Sequence, residues 1–341
     1  MFLLNVLKQK KVNKVPIWIM RQAGRYLPEF RKLKKRSNGF VNMVYTPKIA
    51  SEITIQPIKR FAFDGAIIFS DILIIPDYLG QKLTYQEGKG PKLQKMSMDQ
   101  MLKNFSKRKE KKKLNLVYQA IRRTKNKISK EVNLIGFVGA PLTVSFFMFD
   151  DQRKKNYQKI LSFFKHNMGK TKKLFKILEK AIAMHAIGQI KAGADIIQIF
   201  DTWAGVAKGK DLQEFSIKPI KRITSLIKKA KPKTKIIVFP RKVSPEYPQY
   251  LDKNIDCISV AEDVLVKEIK KIQKTKTIQG NLSPKTLFDG GKKLEKETKK
   301  ILKKFSGRPF IFNLAHGIMP KTPVKNVYKL VNIIREYKNE I

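Results

Sequence analysis

The most constraining feature of this chain is a regular alternation of short apolar runs with longer lysine-rich segments of helical period. Continuous apolarity over four to eight residues is typical of parallel strands that are covered on both faces. The alternation therefore predicts an α/β fold, and eight such strands indicate a (β/α)8 TIM barrel. The predicted strands are rich in Ile, Val and Phe and span 16–19, 64–69, 133–138, 195–200, 235–239, 255–260, 276–279 and 309–313.

The segments between the strands predict amphipathic helices, and first-turn prolines mark three of them, Pro47, Pro284 and Pro323. The segment 81–95 instead predicts a hairpin-like excursion. No Gly/Ser linker, low-complexity tract or internal repeat divides the sequence, so we predict a single domain over 1–341. The predicted helices span 47–61, 114–129, 155–166, 170–192, 211–230, 261–273, 291–304 and 323–338.

Unusual polar and glycine residues follow nearly every predicted strand. In a (β/α)8 barrel these strand ends converge on one face, which is where the active sites of this fold lie. Residues far apart in the sequence can therefore share one pocket at the C-terminal ends of the strands. The residues that follow the strands are Arg21 and Arg25, Ser70 and Asp71, 139–141, 201–205, Pro240 and Arg241, 280–284, and 315–317.

Two arginines, Arg21 and Arg25, bracket a Gln-Ala-Gly sequence directly after the first predicted strand. The positive charge of this chain is otherwise mostly lysine. A guanidinium group offers a planar fork of donors that matches a carboxylate bidentately, which lysine cannot do. The pair therefore indicates an anion site, although an arginine pair that staples a loop to the fold would give the same pattern.

The charge of the chain is extreme, with 73 basic and 27 acidic residues and a net charge of +46. Such an excess raises the possibility of a nucleic-acid or anionic-membrane partner. The lysines are spread along the whole chain, however, aromatic residues are not interleaved with the basic runs, and no nucleic-acid-binding motif is present. We therefore favour a solvated basic surface that concentrates polyanionic substrates, and keep a basic nucleic-acid-binding protein as the alternative from another class.

A single cysteine, Cys257, rules out an intramolecular disulfide and a zinc site built on several thiolates, and we expect it in the core. Residues 1–8 lack the features of an export signal and predict a helix. The longest apolar segment, near 65–76, is interrupted by Ser70 and Asp71 and is shorter than the roughly 20 residues of a membrane span. We predict a cytoplasmic protein with no membrane partner.

The string at 16–31 closely resembles the N-terminal signature of the uroporphyrinogen decarboxylase family, whose members convert four acetate side chains of a tetrapyrrole to methyl groups. Further motifs of that family lie at 69–73, 136–143, 200–205, 279–284 and 312–323, so the resemblance covers nearly the whole chain. It implies a lyase of porphyrin and haem biosynthesis that uses no cofactor and no metal. It also implies uroporphyrinogen III as substrate, coproporphyrinogen III and four CO2 as products, and a homodimer whose active-site clefts face each other.

By this resemblance, Asp71 reaches the centre of the macrocycle and accepts hydrogen bonds from pyrrole N–H groups. A fixed carboxylate there would stabilise a cationic intermediate electrostatically. Arg21 and Arg25 are implied to bind substrate carboxylates, and they are the candidates to supply the proton. From the residues alone, Asp71 could instead cap a following helix or bond loop amides.

Two more residues are assigned to the substrate by the resemblance. Thr202 matches the family's hydroxyl residue that contacts the substrate, and His316 stands in the family's Gly-His-Gly motif, here Ala-His-Gly. Without the resemblance, Asp201 and Thr202 would be interpreted as a helix N-cap and His316 as a structural loop histidine. The glycine and asparagine of 279–284 are interpreted as shaping a turn before a helix.

The chain departs from the family pattern at a residue expected to face the substrate. Phe147 stands where the family has a tyrosine, and Leu142 stands where it has a tryptophan. Loss of one hydroxyl predicts reduced activity rather than none, by about three- to tenfold. A related methyltransferase with a His/Cys/Cys zinc site is a further alternative, and the single cysteine argues against it. The alternative from another class, the basic nucleic-acid-binding protein, would then be a degenerate enzyme that has lost its chemistry through changes such as Phe147.

Overall fold

The computed structural model of this protein describes residues 1–10, 12–86, 90–107, 110–149, 156–305 and 307–337. The strands of the described residues are β1 (Gly65–Ile67), β2 (Leu83–Gln86), β3 (Gly90–Leu93), β4 (Asn133–Gly139), β5 (Ile196–Asp201), β6 (Lys235–Pro240), β7 (Cys257–Ser259), β8 (Thr277–Leu282) and β9 (Phe310–Leu314). Seven of them form the central feature, a curled parallel sheet in the order β1-β4-β5-β6-β7-β8-β9. The other two, β2 and β3, form a separate antiparallel pair.

Residues 16–19 do not form the regular strand that the sequence predicts, but they do occupy the eighth position of the barrel. Ile17 forms an isolated parallel bridge with Phe312 of β9. On the other side, Asp64 N donates to Ile17 O at 2.9 Å, and Ile17 N donates to Asp64 Oδ2 at 2.7 Å. Arg335 forms an ion pair with the same carboxylate at 3.0 Å. A carboxylate side chain therefore takes the place of a backbone ladder partner on the β1 side, and residues 16–19, the closing segment, complete the ring.

Helices cover the outside of the sheet, and most predicted helices are present within a few residues of their predicted ends. Pro47 begins its helix as predicted, whereas Pro323 is the residue before the helix. The predicted helix 211–230 is interrupted by a π-helical turn, Gln213–Ile217. The helices are α1 (Phe2–Leu7), α2 (Pro28–Lys35), α3 (Gly39–Tyr45), α4 (Pro47–Phe61), α5 (Ile74–Leu79), α6 (Met98–Phe105), α7 (Lys112–Lys125), α8 (Pro141–Phe149), α9 (Tyr157–His166), α10 (Met168–Lys191), α11 (Gly209–Leu212), α12 (Lys218–Ala230), α13 (Val266–Ile272), α14 (Pro284–Asp289), α15 (Gly291–Phe305) and α16 (Val324–Glu336).

The predicted hairpin is confirmed as the pair β2–β3, while residues 87–89 at its centre lie outside the described residues. Its base is held by the carboxylate of Asp77, which accepts from Leu83 N at 3.0 Å and from Tyr45 OH at 2.6 Å. Lys113 Nζ forms an ion pair with the same carboxylate at 2.7 Å. The hairpin is therefore fixed to α3 and α7 beside the sheet.

Two apolar cores flank the sheet, one between the sheet and its helices and one inside the barrel. Leu3, Val6 and Leu7 of α1 belong to the inner core, where Cys257 is fully buried as predicted. Leu4 N donates to Asn133 Oδ1 at 3.3 Å, and Asn133 begins β4. Helix α1 therefore closes the N-terminal end of the barrel, which leaves the C-terminal end open. In the described part of the chain, no helix is both long enough and apolar enough to cross a membrane.

Candidate active site

A cavity of about 520 Å³ lies at the C-terminal ends of the strands. Its walls include the residues that come directly after four parts of the barrel, namely the closing segment 16–19 and the strands β1, β5 and β9. Helix α8 and the hairpin β2–β3 also contribute. The structure brings together there all six residues that the sequence assigned to a site, although they span almost 300 positions. These are Arg21, Arg25, Asp71, Phe147, Thr202 and His316.

Asp71 lies in the turn after β1, at the wall of the cavity. Leu73 N donates to Asp71 Oδ1 at 2.7 Å, so the carboxylate also bonds a loop amide, as the alternative interpretation proposed. Burial raises the pKa of Asp71, while the Leu73 N–H group and the positive charge of Arg21 oppose that rise. The net direction is upward, so the negative charge is incompletely compensated before any ligand binds.

Arg21 is held in place by an unusual backbone and by a close glycine. Its φ is +62°, in the left-handed region that costs a non-glycine residue about 1 kcal/mol. Gln22 is fully buried, accepts from Ile19 N at 3.0 Å and donates to Gly65 O at 2.9 Å, which ties the turn to β1. A Cβ on Gly317 would lie 2.8 Å from Arg21 Cγ, so only glycine leaves room for this side chain.

Burial lowers the pKa of Arg21, and Asp71 partly restores it. The side chain is open to solvent through the cavity, yet protein surrounds the guanidinium on several sides. Arg25 also lines the cavity, and its backbone is fixed because Arg31 Nη1 donates to Arg25 O at 2.9 Å. The two arginines therefore present charge to one space from a single stiff turn.

His316 follows β9 and is partly buried in the cavity wall. Burial lowers the pKa of His316 to about 3, with further lowering by the positive charges of Arg21, Arg241 and Lys242. The imidazole is therefore neutral at physiological pH. It can donate or accept one hydrogen bond to a ligand, but it does not contribute a positive charge.

The buried carboxylate of Asp201 links the two elements that carry Thr202 and Phe147, namely the end of β5 and helix α8. Asp201 Oδ1 accepts from Thr143 Oγ1 at 2.6 Å, and its Oδ2 accepts from Ser216 Oγ. Thr143, in the first turn of α8, also accepts from Trp203 N at 3.1 Å. The interpretation of Asp201 as a helix N-cap is therefore wrong, because Asp201 ends β5 and bonds two hydroxyl groups instead. Burial raises its pKa to about 6, against the effect of those bonds.

The interpretation of 279–284 as a turn is also wrong, because Gly280 and Asn281 lie inside β8. The φ of Gly280 is +139°, and a Cβ there would lie 2.7 Å from Val260 O. Asn281 Nδ2 donates to Ala261 O at 2.9 Å. These residues therefore brace the end of β7 against β8, and the helix begins afterwards, at Pro284.

Sequence reasoning missed the aromatic side chains that form much of the cavity wall. Phe69 makes edge-to-face contacts with Phe40, at 5.6 Å between ring centroids, and with Phe30, at 5.9 Å. On another side, Phe137 and Phe200 meet edge to face at 5.6 Å. Phe69 and Phe200 stand in the family motifs, which was the available signal. Apolar walls with cationic groups between them suit an anionic ligand that also presents apolar surface.

Neither a metal site nor a zinc triad is evident in this arrangement. Within the described ranges, no group of three His, Cys, Asp or Glu side chains is placed to hold a metal ion.

Comparison with known proteins gives one consistent result. The family model described as Uroporphyrinogen decarboxylase (URO-D) matches residues 2–337. The chain is 38% identical to a uroporphyrinogen decarboxylase from Rickettsia africae, over 99% of this chain and 97% of that protein. It is 41% identical to one from Orientia tsutsugamushi, over 95% of each chain, and 36% identical to one from Rhodospirillum rubrum, over 97% and 96%.

Solved structures agree on the fold. A methyltransferase from Methanosarcina mazei superposes with a TM-score of 0.78 over 98% of this chain and 97% of that chain, at 19% sequence identity. A B12-independent methionine synthase from a Shewanella species superposes with a TM-score of 0.58 at 13% identity, over 97% and 98%. At these identities the likeness confirms the barrel architecture and carries no statement about chemistry.

Proposed function

Because this chain belongs to the uroporphyrinogen decarboxylase family, we propose that it removes the four acetate carboxyl groups of uroporphyrinogen III in succession, as a carboxy-lyase. The products are coproporphyrinogen III and four CO2. The observation that supports this assignment most directly is the placement of Asp71, Arg21 and Arg25 in one aromatic-walled cavity. An anion site and an isolated carboxylate are the two elements that the reaction needs.

The arginines bind the substrate in this proposal. Each guanidinium can hold an acetate or propionate carboxylate through two parallel hydrogen bonds. His316, neutral at working pH, adds a hydrogen bond to a carboxylate, and the Thr202 hydroxyl adds another. The apolar walls contact the faces of the pyrrole rings. Together these contacts orient one acetate arm at a time toward the reacting end of the cavity.

Asp71 supplies the electrostatic stabilisation. Loss of CO2 breaks the bond between the acetate methylene and its carboxylate carbon, and the electron pair must enter a ring that is already protonated at carbon. The cationic ring formed by that protonation is stabilised by a fixed carboxylate at the centre of the macrocycle. The raised pKa of Asp71 means that its charge is poorly satisfied in the free enzyme. Binding of the cation compensates that charge, so the stabilisation is larger for the intermediate than for the substrate.

Arg21 is the proposed proton donor. Burial lowers the pKa of Arg21, which makes it a better acid than an arginine in water. A proton passes from the guanidinium to the ring carbon, and CO2 leaves. Loss of CO2 leaves an exocyclic methylene group on the ring. A proton from solvent then adds to the methylene carbon to complete the methyl group, and the ring carbon returns its proton to Arg21, so that one solvent proton is consumed for each CO2 released. Arg21 has both roles in this proposal, because its side chain would face both a pyrrole ring and an acetate arm of the bound substrate.

The remaining features of the proposal were expected partly from the sequence pattern and partly from the resemblance, which implies the cofactor-free activity and the homodimer. They are a single catalytic domain over 1–341, activity without a cofactor, a cytoplasmic homodimer with facing clefts, and no specific nucleic-acid partner. The basic surface fits this proposal because its field attracts a polycarboxylate. Light scattering on a size-exclusion column tests the dimer, and activity in the presence of a strong chelator tests the absence of a required metal.

The decisive experiment is an anaerobic incubation of the purified protein with enzymatically generated uroporphyrinogen, followed by separation of the products according to their carboxyl number. Passage through seven-, six- and five-carboxyl species to the four-carboxyl product is the expected result. If a folded protein leaves all eight carboxyls in place, the proposed activity is wrong. A steep loss of DNA or RNA binding with rising salt would then favour the nucleic-acid alternative.

A further inference from the structure

We propose that Arg241 is an additional carboxylate-binding residue, which holds an arm of the substrate on the side of the barrel mouth opposite Arg21. The inference rests on the proposed function, since it concerns the same substrate. Arg241 directly follows β6, and Arg21 follows the closing segment 16–19. In the ring formed by that segment and the seven strands, these positions are separated by half the circumference.

The backbone of Arg241 is fixed to the turn that carries Thr202. Arg241 N donates to Asp201 O at 3.1 Å, and Gly205 N donates to Arg241 O at 3.1 Å. A Cβ on Gly205 would lie 3.0 Å from Arg241 O and still closer to the carbonyl oxygen of Lys242. The two segments are therefore packed backbone against backbone, so Arg241 is fixed beside the turn that carries the cavity residue Thr202 rather than on a loose loop.

The guanidinium of Arg241 lacks the partners that a structural arginine has in this protein. Its Nε atom is buried and makes no hydrogen bond, and no described carboxylate lies within ion-pair distance of it. A buried cationic donor left without an acceptor is costly. By contrast, carboxylates pair with the arginines that join helices or brace the barrel, namely Arg60 with Glu29, Arg222 with Glu179, and Arg335 with Asp64.

The charge of Arg241 also reaches the cavity. It lowers the pKa of both Arg21 and His316, which line the cavity wall. Among the described lining residues the only carboxylate is Asp71, so positive charge is in excess at the mouth. A substrate with eight carboxylates supplies the missing acceptors, and an arm that extends past Thr202 meets Arg241. A carboxylate of the substrate therefore supplies the hydrogen-bond acceptor and the negative charge that the Arg241 guanidinium lacks in the free protein.

The test compares Arg241→Ala, Arg241→Lys and the exposed helix variant Arg123→Ala, which removes the same charge far from the cavity. Equilibrium titration with uroporphyrin, the oxidised eight-carboxyl macrocycle, measures binding without turnover. Steady-state assays give KM and kcat with uroporphyrinogen, and thermal melts establish that each variant folds. We expect Arg241→Ala to weaken uroporphyrin binding and raise KM by about tenfold, with kcat within twofold. Arg241→Lys should recover most of the loss, and Arg123→Ala should match the wild type.

Uroporphyrin binding by folded Arg241→Ala within twofold of the wild type overturns the proposal, and so does an equal loss in Arg123→Ala. If Arg241→Ala melts early, Arg241→Lys decides: retained affinity in this folded variant supports a charge contact, and affinity as low as that of the alanine variant opposes it. The outcome is separable from that of the proposed function. A wild type that binds uroporphyrin but does not decarboxylate uroporphyrinogen refutes the activity, whereas turnover that is unaffected in Arg241→Ala refutes only this residue's role.

Discussion

The side chain of Arg21 lies directly over Gly317, so that a Cβ on the glycine would come within 2.9 Å of Arg21 Nε and 2.8 Å of Cγ. The arginine thus occupies the space that any other residue at 317 would fill. Gly317 follows His316, so the Ala-His-Gly motif at the end of β9 carries one residue that faces the cavity and one that makes room for a neighbour.

We expect Gly317→Ala to displace Arg21 and to reduce kcat/KM about as far as Arg21→Ala does. The expected loss is about tenfold or more, which corresponds to one lost hydrogen bond to a charged group. Steady-state kinetics on both single variants and the double variant measure this. The double variant should be no worse than Arg21→Ala alone, because both changes remove the same contact. Gly169→Ala is the matched control, since a Cβ there meets no atom within 4 Å. Additive losses in the double variant would refute the displacement.

Asp71→Asn should lower kcat by about a hundredfold or more, because the amide can still accept from Leu73 N but no longer offers a negative charge to the cationic ring. Uroporphyrin affinity and the melting temperature should change little. Asp289→Asn, at an exposed ion pair with Lys285, serves as the control for loss of a carboxylate. Near-wild-type turnover by Asp71→Asn would rule out the electrostatic role.

Phe147→Tyr should raise kcat/KM by about three- to tenfold, since it restores a hydroxyl that faces the cavity from α8. Phe149→Tyr makes the same chemical change at the end of the same helix, where the ring packs on Phe163 and Phe164, and should give no gain. Parallel kinetic assays of the two variants are the measurement. A loss of activity in Phe147→Tyr would mean that the pocket has closed around the phenyl ring.

The low pKa of His316 predicts a specific pH dependence of stability. The unfolded histidine titrates near 6.5 and the folded one near 3, so between these values the unfolded state binds more protons and stability falls as the pH falls. From pH 7 to pH 5 this costs about 1–2 kcal/mol. His316→Asn removes this cost, so its free energy of unfolding should rise relative to the wild type by that amount as the pH is lowered.

Denaturant unfolding at pH 7, 6 and 5 tests this prediction. Comparison with the wild type matters because other groups titrate in the same range. The pKa of Asp201, raised to about 6, gives the opposite slope, since the folded state binds the extra proton there and stability falls as the pH rises. His166→Asn, on the exposed side of α9, controls for loss of an imidazole. A constant difference between His316→Asn and the wild type across the three pH values would contradict the expectation.

Thr143→Val should lower the free energy of unfolding by about 1–3 kcal/mol, because it leaves one oxygen of the buried Asp201 carboxylate without its donor. It also frees Trp203 N, next to the cavity residue Thr202. Ser145→Ala, on the same helix, loses only a bond to Leu142 O and should cost about 1 kcal/mol or less. Equal losses in the two variants, measured by denaturant unfolding, would mean that Asp201 does not depend on Thr143.

Much of the fold was predictable because burial and periodicity leave a local trace. Helix α4 begins and ends where the sequence indicated, since Pro47 fixes its first turn and its apolar residues keep a helical period. The segment 16–19 shows the limit of this logic. Its apolarity reports burial correctly, but whether a buried segment forms a ladder depends on partners such as Asp64, which sequence periodicity does not show.

The cavity residues were predictable because they sit in motifs directly after strands, and the strand ends converge by topology. The residues that position them were not. Gln22 is tied to Gly65, 43 residues away, and Thr143 to Asp201, 58 residues away. Such pairs follow from side-chain geometry in the finished barrel, and a buried glutamine or threonine looks in the sequence like any polar residue at a strand end.

The closing segment also sets an order of assembly. Ile17 is bonded on one side to Asp64, which directly precedes β1, and on the other side to β9. Arg335 of the last helix forms an ion pair with the same Asp64 carboxylate. The loop that brings these ends together comprises nearly the whole chain, so its closure entropy is paid late. A chain that ends before α16 would still contain β9 and the residues that line the cavity, but it would lack the ion pair between Arg335 and Asp64. We therefore expect its closing segment 16–19, and with it the turn that carries Arg21, to be held less firmly than in the full chain.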